Sequence, residues 1–81
     1  VAHVIDFPRD FRAQVERLPH PVRQDLETAL LEASLDPYLL PALIDSAPHL
    51  RILEFSDRGT CLLVVDDITE RVLVDQLVWR G

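Results

Sequence analysis

The last third of the chain admits few folds. Leu50–Ser56, Thr60–Asp66 and Arg71–Trp79 are three short runs rich in branched and aromatic residues, the composition of strands. Only Asp57-Arg58-Gly59 separates the first two, and only Asp67-Ile68-Thr69-Glu70 the last two. Parallel neighbours need a crossover of about a dozen residues or more, so connections this short predict an antiparallel meander. Leu62-Leu63-Val64-Val65 is continuously apolar, which predicts a central strand buried on both faces. In the last run, strict alternation puts Val72, Val74 and Val78 on one face and Arg71, Leu73, Asp75, Leu77 and Trp79 on the other.

The preceding residues supply a strand and two helices. Val1–Phe7 alternates, with Val1, His3, Ile5 and Phe7 on one side, and Pro8 ends it. Phe11, Val15 and Leu18 are spaced as i, i+4 and i+7, which predicts a helix over Arg9–Leu18. The Leu18-Pro19-His20-Pro21 corner breaks that helix, and Pro21 suits the first turn of the next. There Val22, Leu26, Ala29, Leu30 and Ala33 form an apolar stripe that stops before Asp36-Pro37. Pro41 and Pro48 make Tyr38–His49 irregular, with one helical turn expected over Pro41–Asp45. The predicted fold class is α+β: a β-α-α-β-β-β order in which a two-helix hairpin packs on a mainly antiparallel four-stranded sheet.

Size and charge narrow the functions. The 81 residues are expected to form a single domain over positions 1–81, and an apolar content of 48% is enough for a core. No apolar stretch approaches the roughly 20 residues of a membrane span, and the first residues lack a signal-peptide pattern. A cytoplasmic protein is expected. The lone cysteine, Cys61, has no internal disulfide partner and reads as a small apolar strand residue. Eight arginines, no lysine and fourteen acids give a net charge of −6. A nucleic-acid contact would therefore need a local arginine cluster on an otherwise repelling body. No histidine has a second ligand at metal-binding spacing, so no metal and no cofactor is expected.

Several phrases in this order of elements resemble the RelE/ParE superfamily of small toxins. They are Val15-Glu16-Arg17-Leu18-Pro19, Leu35-Asp36-Pro37, Leu50-Arg51-Ile52-Leu53-Glu54-Phe55, Cys61-Leu62-Leu63-Val64-Val65-Asp66-Asp67 and Val78-Trp79-Arg80-Gly81. The resemblance covers nearly the whole chain. It implies the toxin of a type II toxin–antitoxin system, inhibiting translation by ribosome-dependent mRNA cleavage as a metal-independent endoribonuclease. That reaction is attack of a ribose 2′-hydroxyl on the adjacent phosphate, which needs a base, an acid and cations for the developing charge.

By the resemblance, Arg51 matches the strand arginine that would clamp the phosphate, and Arg80 the basic residue near the C-terminus. Arg58 is the nearby substitute for the family's aromatic–arginine pair, where Thr60-Cys61 stands. Independently of the resemblance, His49 precedes the strand as a candidate general acid or base and RNA contact beside Arg51, or as a plain loop residue. The lysines that many members carry on their helices are absent. Arg51 is equally accounted for by a surface ion pair with Glu54 or a nearby aspartate. The resemblance also implies a cognate antitoxin as partner, with the ribosome and mRNA as further contacts. Leu31, Leu35 and Trp79 lie off the main helical stripe or at the sheet end and form the expected partner-binding surface. Two alternatives stand beside the ribonuclease: a catalytically degenerate protein-interaction module of the same fold, and a ParE-like gyrase poison.

Overall fold

In the computed structural model, which describes residues 2–81, strand β1 (Val4–Asp6) leads into helices α1 (Phe11–Glu16) and α2 (His20–Leu35). A 3-10 helix (Pro37–Leu39) and an irregular stretch follow, then strands β2 (Leu50–Phe55), β3 (Gly59–Asp66) and β4 (Arg71–Trp79). The sheet order is β1-β4-β3-β2. The meander pairs are antiparallel, and β1 runs parallel to β4 at the edge. The predicted α+β order and mainly antiparallel sheet are therefore present.

Local chemistry sets the helix boundaries. Pro19, with φ −56° and ψ 150°, is the N-cap of α2, so the helix begins at His20, with Pro21 inside its first turn. The corner between the helices is tied by Arg23, whose guanidinium donates to the carbonyls of Glu16 (3.2 Å) and Leu18 (3.3 Å). The Glu16 carbonyl is among the groups a helix end leaves without partners. The helical turn expected over Pro41–Asp45 forms instead at Pro37–Leu39. Asp36 explains the shift: its carboxylate accepts from the Tyr38 amide (3.2 Å) and caps a turn that starts on a proline. The first strand is shorter than the alternation over 1–7 predicts; Val1 lies outside the described residues.

Leu26, Leu30 and Ala33 of α2 pack with Phe11 and Leu18 against Leu53, Phe55, Cys61, Leu63, Val65, Val72 and Val74. Full burial of such side chains contributes about 1.5–3 kcal/mol each, so this layer dominates stability. β3 is not buried equally on both faces. Its burial alternates, with Cys61, Leu63 and Val65 under the helices and Leu62, Val64 and Asp66 only half-covered on the other side.

The last strand departs from strict alternation. Leu63 pairs with Val74 but Leu62 pairs with Gln76, so Asp75 is an extra residue at a β-bulge. One unpaired residue exchanges the faces of everything beyond it. Leu77 and Trp79 thereby join Val72 and Val74 on the helix side, and Val78 turns to the open side. The predicted grouping of Val78 with Val72 and Val74 is corrected by that bulge. Trp79 stacks on Phe55, with ring centroids 6.3 Å apart.

Candidate functional site

Arg51 lies opposite Leu63 on β3, whose side chain is fully buried beneath the helices. Paired residues share a face, so Arg51 belongs to the helix side of the sheet at its edge. Its Nε donates to the Pro48 carbonyl (2.8 Å) and its Nη1 to the Leu40 carbonyl (2.9 Å). The guanidinium carbon sits 4.8 Å from the centre of the Tyr38 ring. Ala42 forms an isolated antiparallel bridge with Arg51, flanked by bonds from Leu43 N to Leu50 O (3.0 Å) and Ile52 N to Pro41 O (2.9 Å). Arg51 thus holds the irregular stretch against β2 through backbone and side chain together.

A polar cluster lies beside it, at the end of the sheet near the β3–β4 turn. The Tyr38 hydroxyl donates to Asp67 Oδ2 at 2.5 Å and lies 3.5 Å from His49 Nδ1. His3 Nε2 approaches the other oxygen of Asp67 at 3.6 Å, and His3 Nδ1 is buried without a partner. The hydrogen bond to Asp67 raises the Tyr38 pKa, helped by partial burial and by the Asp67 charge, against a lowering pull from Arg51. Next to it, hydrogen bonds from Thr69, then Ile68, hold the Asp66 carboxyl below its usual range. A phenol, two imidazoles and a carboxylate can exchange protons. Arg51, the guanidinium beside the cluster, is directed at carbonyls rather than held free to meet a phosphate.

Arg58 and Arg80 meet elsewhere. A bond from the Arg80 amide to the Arg58 carbonyl (3.0 Å) continues the β3–β4 ladder one step beyond Gly59 and Trp79. Both arginines are exposed. Arg58 and Leu63, the partner of Arg51, are five residue steps apart, which is roughly 17 Å at the usual strand rise. The four sequence-predicted residues therefore form two groups, Arg51 with His49 and Arg58 with Arg80. Among the described residues, no group of three or more His, Cys, Asp or Glu side chains is arranged to hold a metal ion.

This arrangement of helices and strands occurs in solved structures. A mutant of the E. coli toxin RelE in the free state matches with a TM-score of 0.79 at 20% identity, over 95% of this chain and 82% of that one. The fold is that of RelE. The RelBE2 toxin–antitoxin complex from Mycobacterium tuberculosis matches at 0.78 and 18% identity, over 99% of this chain and all of that one. The E. coli RelE mutant in complex with an antitoxin RelB peptide matches at 0.78 and 19%, over 100% and 86% of the two chains. No family model matches the sequence, and no curated protein matches it.

On this RelE fold, Leu31 and Leu35 are 66% and 65% exposed on α2, and Leu39 follows them into solvent. Trp79 is half-buried on the helix side against Phe55, away from that stripe. Tyr38, Asp67 and His3 are not among the sequence-predicted site residues. They come from three distant segments, and only Tyr38, just after the Asp36-Pro37 cap, carries a local signal of its position. Among the described residues, no helix is long and apolar enough to cross a membrane.

Proposed function

We propose that this chain is the toxin-type subunit of a type II toxin–antitoxin pair and that its first partner is the antitoxin. The observation that carries this reading is the RelE fold over essentially the entire chain, shared with structures described as toxin–antitoxin complexes. The exposed apolar stripe of Leu31 and Leu35 supports it, because an amphipathic partner segment gains affinity by covering such residues. On this reading the target is mRNA in the ribosome, and Arg58 and Arg80, exposed and adjacent, supply the phosphate contact.

A second reading, a RelE-fold interaction module that does not cleave RNA, is favoured by the separation of the two groups. A base and a phosphate clamp acting on one phosphodiester must lie within a few ångströms of it. His49 and Arg51 lie too far from Arg58 and Arg80 for that, and Arg51 is occupied by the Pro48 and Leu40 carbonyls.

Controlled expression separates the readings. Growth arrest by the native chain, relieved by Arg58→Ala with Arg80→Ala, supports mRNA cleavage. A tight complex with an antitoxin, with no arrest at verified soluble expression of the free chain, supports the module.

A further inference from the structure

The face of the sheet away from the helices is apolar in its middle and acidic at one end. Register directs Leu50, Ile52, Leu62, Val64, Leu73 and Val78 to it, and Leu73 and Val78 are each 43% exposed. Near the β3–β4 turn, two shallow clefts of about 300 and 410 Å³ share Val64 and Leu73 as their floor. Asp6 and Asp75 rim the first, and Asp66 and Asp67 the second. Among the described residues, the guanidiniums at this end are Arg71, whose two hydrogen bonds, 2.9 and 3.1 Å, go to Asp6, and Arg51, which donates to the Pro48 and Leu40 carbonyls. His49 also lines the second cleft. Thr69 and Ile68 donate to Asp66 and favour its charged form. The exposed carboxylate of Asp75 stands at the bulge.

These features select a partner. A nucleic acid would bring phosphates against an excess of carboxylates, where among the described residues the guanidiniums of Arg71 and Arg51 are already engaged within the chain. A wholly apolar surface would leave the carboxylates desolvated and unpaired. A segment with apolar side chains on one side and lysine or arginine beside them meets both demands: aliphatic contact over Val64 and Leu73, cations at Asp66 and Asp75. Arg58 and Arg80 do not interfere, since the eight-residue span of β3 from Gly59 to Asp66 sets them roughly 20 Å away.

We propose that the acidic end of the open sheet face docks a basic amphipathic segment of a partner protein. In identifying that partner as the antitoxin this rests on the reading above, whereas the docking itself is tested separately. The experiment measures binding of a fluorescent peptide alternating leucine and lysine to the full chain. A leucine–glutamate peptide and a single-stranded RNA are measured beside it.

The leucine–lysine peptide is expected to bind and the other two not. Asp75→Lys is expected to weaken it about tenfold, whereas Glu27→Lys, the same change of net charge on α2, leaves it nearly unaltered. Because Asp75 sits in a bulge, Leu73→Lys repeats the test from a regular strand position, with thermal melts confirming that each variant is folded. Equal weakening by Glu27→Lys and Asp75→Lys would reduce the effect to net charge and overturn the proposal. Tighter binding of RNA than of the peptide, lost in Leu73→Lys, would overturn it as well. Failure of the peptide to bind removes the docking proposal and leaves a growth phenotype intact. Absence of growth arrest with peptide binding intact removes the toxin reading alone.

Discussion

Arg51 donates to the carbonyl of Leu40 at 2.9 Å, across eleven residues of chain, and so fastens the irregular stretch to the sheet edge. With the second bond to Pro48 at 2.8 Å, the side chain has a structural task independent of any reaction. Arg51→Met keeps much of the aliphatic bulk and removes both donors. Discounted for partial solvent exposure, the loss is expected to be about 1–2 kcal/mol in urea denaturation. The Leu43 and Ile52 amides, bonded across the same junction, should exchange faster with solvent. Unchanged stability and unchanged exchange would mean that Arg51 holds nothing.

The bulge at Asp75 gives a sharper test. Deleting Asp75 removes the extra residue, so Val74 and Gln76 become consecutive, the ladder runs regularly and Leu77 and Trp79 stay on the helix side. The expected change is about 1 kcal/mol or less, whereas deleting Leu73 from the regular part of the strand turns Val72 or Val74 out of the core layer at an expected cost of about 2 kcal/mol or more. Asp75→Ala keeps the residue count and the register, so a change below about 1 kcal/mol is expected. Chemical denaturation of the two deletion variants side by side would contradict the bulge assignment if their midpoints agreed.

Cys61 has no exposed surface, and burial pushes its thiol up to about 12, from 9.0. Between those values the unfolded chain has lost the proton and the folded chain has kept it. The unfolded state therefore binds fewer protons, and stability falls as pH rises through that window, by up to about 1.4 kcal/mol per pH unit. Cys61→Ala should be less stable near neutrality because of the cavity, and its deficit should shrink as pH rises above 9. A thiol reagent at pH 8 should label the native chain only through unfolding. Rapid labelling of folded protein would contradict the burial.

Leu31 and Leu35 are predicted to serve binding rather than folding. Because both side chains already face solvent, Leu31→Ser with Leu35→Ser should change stability by only about 0.5 kcal/mol. Co-purification with an antitoxin should drop sharply in the same variant. Retention of the complex would remove this stripe from the interface.

The meander was legible because two tight connections leave three strand-like runs no other way to pair. The helices were legible from the spacing of Phe11, Val15 and Leu18 and of Leu26, Leu30 and Ala33, with prolines at the breaks. The faces of β4 were not legible: Asp75 looks like any exposed strand residue, and its lack of a partner depends on the Leu62–Leu63 register. The Arg51 contacts were also hidden, because the acceptors are main-chain carbonyls with no side-chain signature. The cluster of His3, Tyr38, His49 and Asp67 joins segments whose proximity only the sheet order creates.

Growth of a bacterial host after tightly controlled expression of the native chain tests the central claim most directly, with soluble protein verified and an Arg58→Ala, Arg80→Ala variant alongside. The account predicts arrest by the native chain and relief in the variant. Undiminished growth with soluble native protein present would contradict the toxin reading.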